Sequence, residues 1–360
     1  RSSDDLRLVI TTYATFADQY FAGALSASRG FGRITGLLIG DEMHRACPVR
    51  VRNRLKEYSS HFQYRLGLSA TPEIETDTAA ERMLFEYFGG IQSTYELKDA
   101  IQDDVLCHYQ YFPIPAPLDV KTSQRYFRLL HDMDEAERRG CIDINLYRER
   151  NELIRNSDLA VQCFEALMSG KVNRGEFINH SLVYCPPGRT DFEEDADKGN
   201  EPTNTDSNRR HIEQIGTILQ RLNISKTAIL GGDSRQLRKD SLDAFSSGKC
   251  QVLLGIGCLD EGLDIPNIRE AIVLYSCDRE RQFVQRRGRI LRKAKAQGKD
   301  FAVIRDIILM PQNADMPPSI AERLLKREMR RYNEFAGLAD NKAHAERILN
   351  DALQAATCRR

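Results

Sequence analysis

The sequence contains no hydrophobic run long enough to cross a membrane. A membrane-spanning helix needs about 20 apolar residues in succession, and the 360 residues of this chain offer no such stretch. The opening Arg1-Ser2-Ser3-Asp4-Asp5 also lacks the apolar segment that defines a signal peptide. We therefore expect no membrane partner.

Paired cysteines are also missing. The chain has nine cysteines, but none of them form a Cys-x-x-Cys pair, which argues against a zinc ribbon. Scattered cysteines of this kind are typical of free thiols in a reducing compartment. We expect the bacterial cytoplasm, in association with the nucleoid, or the nucleus of a eukaryote.

The sequence has no excess of either charge. Its 52 Lys and Arg residues balance 52 Asp and Glu residues, so net charge favours no polyanionic partner. The distribution is uneven, because residues 191–206 are mainly acidic while a basic cluster follows position 280. That cluster comprises Arg281, Arg286, Arg287, Arg289, Arg292, Lys293, Lys295 and Lys299.

Short apolar runs of strand length alternate with helical patterns along most of the chain. This alternation predicts an α/β fold with parallel sheets, in which chemistry lies on loops at the carboxyl ends of the strands. The length suffices for two domains. The predicted strands cover residues 8–10, 36–39, 64–68, 181–184, 227–230, 251–254, 271–274 and 301–304.

Two regions interrupt the alternation. One shows long helical periodicity, and the other, residues 186–210, is so polar and acidic that it predicts a flexible loop. The carboxyl end shows two further helical patterns, separated near Gly337. We expect four segments: an α/β lobe at 1–118, a helical connector at 119–175, a second α/β lobe at 176–310 and a helical tail at 311–360.

The first candidate site follows the predicted strand 36–39. Two adjacent carboxylates, Asp41 and Glu42, stand at its carboxyl end, with His44 two residues further on. Adjacent carboxylates repel unless a cation compensates. Asp41 is suited to hold Mg²⁺ through water, and Glu42 to orient and deprotonate an attacking water. The alternative is a solvated turn.

Two further strand ends carry candidate residues. Ser69 and Thr71 follow one strand and offer hydroxyls that bridge neighbouring loops, although a helix cap or a turn is the preferred explanation when this segment is taken alone. Another strand enters a loop in which Gly262 permits close backbone approach, with Asp264 two residues later.

The basic cluster contains the densest pattern, Gln285-Arg286-Arg287-Gly288-Arg289-Ile290-Leu291-Arg292. Arg289 and Arg292 are three residues apart, so they share one face of a predicted helix. Two planar guanidinium groups aimed the same way suit a triphosphate. The alternative is a basic, solvated helix.

Taken together and in this order, the segments resemble the signature of superfamily-2, DEAH-type helicases and translocases. The resemblance covers roughly residues 6–310 and is greatest to the XPB-like branch, including its bacterial relatives. The matching segments are motif Ib at 10–13, motif II at 41–44, motif III at 69–71, the region between motifs IV and V at 231–248, motif V at 252–266 and motif VI at 285–292.

The resemblance implies two RecA-like lobes with ATP and Mg²⁺ as cofactors. It implies catalytic roles for Glu42, Arg289 and Arg292, and a metal-binding role for Asp41. It places Asp41, His44, Ser69, Thr71, Gly262, Asp264 and Gln285 around the nucleotide. It places Thr11, Thr12, Gly232, Ser234 and Arg238 on nucleic acid.

The sequence departs from the family pattern in three ways. Met43 stands where alanine is commoner, and the Arg-Glu-Asp that follows motif III in XPB-like proteins is not evident. No G-x-x-x-x-G-K-[ST] phosphate loop occurs. Since a strand-like segment also begins within a few residues of Arg1, we expect a first lobe truncated at its amino side. Residues 1–360 alone should then hydrolyse no ATP.

The expected function is ATP-dependent helicase or translocase activity, most simply on double-stranded DNA in repair or defence. One alternative is the motor subunit of a restriction or phage-defence complex, which would have a nuclease or other protein partner. Another is an RNA-directed helicase. A scaffold that binds nucleic acid without hydrolysis is the alternative from a different class, and retention of Glu42, Arg289 and Arg292 counts against it.

Overall fold

The described residues form two compact units that divide between Tyr95 and Glu96. A computed structural model describes residues 8–27, 36–70, 78–141, 143–155, 158–185, 206–230, 232–255, 265, 267–274, 280–294, 298–310 and 329–357. Within them, no helix is long and apolar enough to cross a membrane.

The first unit is a two-stranded parallel sheet with helices packed on one face. Its elements are α1 (Tyr13–Phe16), α2 (Gln19–Ala27), β1 (Gly36–Gly40), a 3₁₀ helix (Met43–Ala46), α3 (Val49–Glu57), β2 (Phe62–Gly67) and α4 (Thr78–Phe88).

The other face of this sheet carries exposed apolar side chains. Leu37 and Ile39 on β1, with Tyr64 and Leu66 on β2, are each about half exposed. They alternate with residues that face the helices, as expected for strands. Parallel sheets ordinarily have both faces covered, and in the described part of this unit only one is.

The predicted strand at residues 8–10 is wrong. Leu8, Val9 and Ile10 are exposed and form no strand. A strand requires a partner for its main-chain groups, and in the two-stranded sheet β1 and β2 pair only with each other.

The second unit is built on a six-stranded, wholly parallel sheet in the order β3-β8-β7-β4-β6-β5. The strands are β3 (His108–Pro117), β4 (Ser181–Tyr184), β5 (Lys226–Ile229), β6 (Val252–Gly255), β7 (Glu270–Val273) and β8 (Phe301–Met310). The helices are α5 (Leu97–Gln102), α6 (Val120–Arg138), α7 (Ile144–Arg155), α8 (Leu159–Asn173), α9 (Asp206–Arg221), α10 (Arg235–Ser246), α11 (Glu280–Ile290), α12 (Arg330–Ala336) and α13 (Lys342–Thr357).

Apolar clusters cover both faces of this sheet. Strands β4, β6 and β7 are buried along their whole length, which explains their continuous apolar sequences. The predicted α/β class with parallel sheets is confirmed. Because the strands are parallel, their carboxyl ends lie along one edge.

The predicted lobe boundary at residue 118 is corrected to Tyr95/Glu96. Strand β3 pairs with β8 over ten residues, from His108 opposite Phe301 to Pro117 opposite Met310, so residues 96–118 belong to the second unit. This strand was not predicted from the sequence because residues 108–117 contain three prolines, which argue against a strand.

The structure explains how β3 accommodates those prolines. At its free edge the main chain of Tyr111 bonds to the Asn341 side chain, with N–O distances of 2.8 and 2.9 Å. Pro113, Pro115 and Pro117 follow Tyr111 at alternate positions. Their missing N–H groups therefore face the same free edge and remove no bond to β8.

The predicted connector at 119–175 has two parts. Helices α6 and α7 form a pair with its own small core around Tyr126, Phe127, Leu130 and Met133. Helix α8 instead packs on the sheet through Val161, Phe164 and Met168. The prediction of a single connector is therefore corrected, because α8 is a core helix of the second unit.

The predicted tail also belongs to the core of the second unit. Tyr332, Phe335 and Leu349 of α12 and α13 are buried in the cluster on one sheet face. Gly337 is the C-cap residue of α12, which agrees with the predicted separation of the two helices near this glycine. Residues 311–328 lie outside the described residues.

The prediction of a flexible loop at 186–210 is corrected at its carboxyl end. Helix α9 begins at Asp206, so residues 206–210 are helical, and Asp and Ser at its start are typical of a helix amino terminus. Residues 186–205 lie outside the described residues.

Candidate active site

The turn after β1 holds the two adjacent carboxylates. Asp41 is exposed, and its Oδ1 accepts a hydrogen bond from the Glu42 amide at 3.1 Å. Glu42 has a left-handed backbone, with φ 48° and ψ 55°. This conformation costs a non-glycine residue about 1–3 kcal/mol, so neighbouring contacts must hold the turn in place.

Main-chain bonds connect this turn to the end of β2. The Leu68 amide donates to the Gly40 oxygen at 2.9 Å, and the Met43 amide donates to the Leu68 oxygen at 2.8 Å. These bonds extend the β1–β2 pairing beyond both strands. They bring the residue after Leu68, Ser69, to the carboxylate turn.

Glu42, His44 and Ser69 consequently form one cluster. Buried His44 places its Nδ1 3.2 Å from the Ser69 hydroxyl and 3.4 Å from a Glu42 carboxylate oxygen. The imidazole thus contacts both the candidate base and the candidate relay residue. Thr71, the other hydroxyl of the pair, lies outside the described residues.

Met43, the departure from the family pattern, is a core residue. Its side chain is buried under the sheet. A Cβ atom at Gly67 would lie 2.7 Å from the Met43 sulfur and 3.0 Å from Phe88. The larger residue at 43 is therefore accommodated by the absence of a side chain at 67.

Tyr13 is a site residue that sequence reasoning missed. Its hydroxyl donates to the Asp41 main-chain oxygen at 2.8 Å. Burial, followed by the nearby Asp41 and Glu42 carboxylates, raises the pKa of Tyr13 to about 12, so the phenol is a neutral donor at neutral pH. The one feature of the sequence that could have indicated Tyr13 is its position directly after Thr11 and Thr12.

The two threonines themselves are exposed at the start of α1. Thr12 is the N-cap residue, and its Oγ1 accepts from the Thr15 amide at 3.1 Å. Thr11 Oγ1 donates to the Thr12 oxygen at 3.4 Å. Both hydroxyls therefore lie at the surface of the first unit.

In the second unit, the basic pattern spans the end of α11 and the residues after it. Arg286 is buried with its guanidinium 4.7 Å from the Tyr184 ring centre. Arg287 is buried and donates to the main chain and carboxylate of Glu334. Half-buried Gln285 stands beside them on α11.

Arg289 and Arg292 are more accessible than their two neighbours. Arg289 is half-buried and Arg292 is exposed. The prediction that both lie on one helix face is corrected, because α11 ends at Ile290 and Arg292 forms an isolated antiparallel bridge with Leu106. A bond from the Arg292 amide to the Arg289 oxygen, at 3.3 Å, still holds the two close together.

Lys299 fixes the main chain between these arginines, and the sequence identified it only as one cluster member. Its buried ammonium donates to the oxygens of Ile290 at 2.6 Å and Arg292 at 2.5 Å. The Cys107 amide donates to the Leu291 oxygen at 2.9 Å. Burial lowers the pKa of Lys299 from 10.5 to about 8 and raises that of the Cys107 thiol.

The predicted nucleic-acid residues of the second unit lie around the start of α10. Gly232 is exposed in the turn after β5, and Arg238 is half-buried. Ser234 is the N-cap residue, with its hydroxyl accepting from the Leu237 amide at 3.2 Å. Gly262 and Asp264 lie outside the described residues.

The carboxylate turn suits one kind of metal ion. Among the described residues, no group of three or more His, Cys, Asp and Glu side chains is arranged to hold a metal. Mg²⁺ does not need such a cage, because it keeps several waters and binds through one or two carboxylates. Exposed Asp41 beside Glu42 fits that requirement.

Comparison with known proteins identifies part of the second unit. The helicase conserved C-terminal domain family matches residues 203–294, a stretch that includes α10, β6 and the accessible arginines. This stretch is therefore similar to helicase C-terminal domains. The superfamily-2 helicase resemblance of the sequence is thereby confirmed.

Similarity to individual helicases and translocases extends beyond residues 203–294. The DNA 3'-5' translocase XPB2 of Sulfurisphaera tokodaii is 23% identical over 277 residues, which are 76% of this chain and 59% of that protein. The ATP-dependent RNA helicase DBP10 of Pyricularia oryzae is 25% identical over 193 residues, or 48% of this chain and 21% of that protein. The chain thus spans only part of the relatives' length.

Among solved structures, the type ISP restriction-modification enzyme LlaBIII bound to DNA has a similar fold. It covers 97% of this chain with a TM-score of 0.53, and this chain covers 25% of that protein. Sequence identity is 14%, so the likeness concerns the fold alone.

Proposed function

We propose that this chain is the motor portion of an ATP-dependent nucleic-acid helicase or translocase. The observation that carries the proposal is the cluster of Glu42, His44 and Ser69 at the ends of β1 and β2. A general base beside a histidine that also contacts a second loop is an arrangement that can link hydrolysis to motion. The helicase C-terminal domain adds support.

In this proposal each polar residue has a defined task in ATP hydrolysis. Glu42 accepts the proton of the attacking water. Arg289 and Arg292 stabilise the negative charge that develops on the γ-phosphate. Asp41 holds Mg²⁺, which when bound neutralises phosphate charge. His44, Ser69 and Thr71 relay the nucleotide state, while Gly262, Asp264 and Gln285 complete the nucleotide site.

We propose double-stranded DNA as the substrate, with an XPB-like mode of action in repair or defence. The translocase XPB2, named for DNA, matches 76% of this chain, against 48% for the RNA helicase DBP10. Contacts would run along backbone phosphates, through Thr11 and Thr12 of the first unit. Those of the second unit would come from Gly232, Ser234 and Arg238.

A second candidate is the motor of a restriction or phage-defence complex with a nuclease partner. The fold of a DNA-bound restriction enzyme extends over 97% of this chain. Both candidates use the same ATP site, and detection of a nuclease domain on the same protein or in a stable complex would separate them.

Replacing Glu42 with glutamine tests the proposed chemistry. In the full-length protein, the variant should bind ATP nearly normally and hydrolyse it about 10²–10⁴-fold more slowly, the range expected for loss of a general base. Steady-state ATPase assays and nucleotide-binding titrations measure the two effects.

A matched control is Glu57→Gln, which alters an exposed carboxylate on α3 of the same unit that pairs with Arg54 at 2.6 Å. It should leave turnover within about twofold, since exposed ion pairs contribute little. A Glu42→Gln variant that hydrolyses ATP as fast as this control would exclude Glu42 as the base.

A further inference from the structure

Tyr13 joins two parts of the first unit to which the proposed function gives separate tasks. Its backbone begins α1, directly after Thr11 and Thr12. Its hydroxyl reaches the Asp41 main-chain oxygen at 2.8 Å, across 28 positions of sequence. The ring packs against the apolar cluster that includes Phe16, so this contact is anchored in the core of the unit.

The Tyr13 bond holds the peptide group between Asp41 and Glu42. The carbonyl of this peptide accepts from the Tyr13 hydroxyl, and its N–H donates to the Asp41 carboxylate at 3.1 Å. Both polar ends are therefore fixed. Because Glu42 has a left-handed backbone, rotation of this peptide would redirect its side chain.

The phenol lies close to the end of β1. A Cβ atom at Gly40 would lie 3.0 Å from the Tyr13 hydroxyl and 3.0 Å from the Phe88 ring. The phenol oxygen thus lies directly against the last residue of β1. A displacement of Tyr13 would therefore change its contact with this residue or its hydrogen bond to the carbonyl that follows it.

We propose that Tyr13 is a positioning residue, which transmits nucleic-acid contact at Thr11 and Thr12 to the orientation of Glu42. The inference rests on the proposed function, which supplies the roles of the threonines and of Glu42. The link between them is short, since Thr12 caps the single turn of α1 and Tyr13 is its first residue. Movement of the Thr12 main chain therefore moves the phenol.

The test is Tyr13→Phe, which removes the hydroxyl and keeps the ring. A matched control is Tyr58→Phe, because buried Tyr58 of the same unit donates its hydroxyl to the Ala22 main-chain oxygen at 3.1 Å. Both variants lose one bond from a phenol to a carbonyl. Thermal unfolding of both proteins establishes that they fold.

In the full-length protein, Tyr13→Phe should lower the nucleic-acid-stimulated kcat for ATP about 2–10-fold, the factor that corresponds to one hydrogen bond. The KM for ATP and the affinity for duplex DNA should stay at the wild-type values. Tyr58→Phe should retain the wild-type kcat, although it loses an equivalent bond.

Hydrogen exchange of the full-length protein gives a second readout that does not depend on catalysis. Duplex DNA should change the protection of the amides at 42–45 in the wild type and in Tyr58→Phe, but not in Tyr13→Phe. If the two variants behave alike in both experiments, or if Tyr13→Phe loses only DNA affinity, the inference is wrong and the proposed function stands. If the wild type neither binds nucleic acid nor responds to it, both are wrong.

Discussion

The arginines around the end of α11 differ in what their guanidinium groups contact. Arg286 packs on the Tyr184 ring and Arg287 bonds to Glu334, both inside the second unit. A guanidinium engaged in the core is not available to a phosphate. Arg289 is half-buried and Arg292 is exposed, and we expect this more accessible pair at the γ-phosphate.

Replacing Arg292 with alanine should reduce ATP turnover in the full-length protein about 10³-fold or more, as for other arginine fingers. Lysine should rescue turnover poorly, because a point charge does not reproduce the planar fork. ATPase assays measure this effect, and fluorescence anisotropy with duplex DNA should show a much smaller change in affinity.

The control for Arg292 is Arg125→Ala, which removes an exposed arginine on α6 that pairs with Glu149 at 2.6 Å. It should change turnover less than about twofold, as expected for a surface ion pair. If the main consequence of Arg292→Ala were lost DNA affinity, Arg292 would belong to a basic surface.

Lys299 predicts a pH-dependent contribution to stability. Burial lowers its folded pKa from the ordinary 10.5 to about 8, and the smaller influences of Cys107 and Arg269 oppose each other. Between these pH values the unfolded chain binds a proton that the folded chain has lost, so stability from this residue rises with pH. Below about pH 8 the folded chain keeps the buried Lys299 ammonium charged, which lowers the free energy of unfolding.

The Tm of the wild type relative to Lys299→Met should therefore increase between pH 8 and pH 10. A change of about 2–4 °C corresponds to 1 kcal/mol in a domain of 150–250 residues. Lys342→Met, which removes an exposed ammonium on α13, is the control for loss of a charge. Parallel Tm curves for the wild type and Lys299→Met would contradict the assigned pKa.

Sequence reasoning located some of these residues and missed others for a physical reason. Asp41 and Glu42 were found because an apolar strand followed by two carboxylates is a local pattern. Tyr13 and Lys299 act through hydrogen bonds to main-chain oxygens, which any residue provides. No pattern of residue types marks such a bond, so only the fold reveals it.

Strands β1 and β2 position the carboxylate turn through close contact at two glycines. Gly40 makes room for Tyr13, and Gly67 makes room for the Met43 side chain. A methyl group at either position would enter a filled space. The two strands can approach the helices on their covered face only because these positions carry no side chain.

Gly67→Ala should destabilise the first unit by about 1–3 kcal/mol, the usual cost of overpacking a core. Gly67→Ala combined with Met43→Ala should cost less than the sum of the single changes, since the added methyl meets the Met43 sulfur at 2.7 Å. Urea unfolding measures all three variants.

The control is Gly23→Ala in α2, where an added Cβ has no neighbour within 4 Å. This change should be neutral or stabilising, because alanine restricts the unfolded chain and suits a helix. Additive free energies for Gly67→Ala and Met43→Ala would show that the two side chains do not compete for the same space.

Elements could be predicted from sequence where their signal is local. The apolar run at 251–254 predicts β6 because buried parallel strands are apolar on both faces. The run at 36–39 predicts β1, although one face of this strand is exposed among the described residues. Strand β3 could not be predicted, since its prolines are tolerated only at a free sheet edge. Whether a strand is at an edge depends on pairing with residues far away in sequence.

The division of the chain into two units follows from that long-range pairing. Residues 96–118 join the second unit through β8, about 190 positions later, and the tail joins it through α12 and α13. The second unit covers both faces of its sheet. The first unit leaves Leu37, Ile39 and their neighbours exposed.

We propose that the whole protein couples ATP hydrolysis to nucleic acid. The most direct measurement is the ATPase rate of the full-length protein without nucleic acid and with duplex DNA, single-stranded DNA or RNA, with Glu42→Gln as the catalytic control. We predict a rate that rises with nucleic acid, most with duplex DNA, and is lost in Glu42→Gln. A wild-type rate that no nucleic acid changes, or that Glu42→Gln retains, would contradict the account.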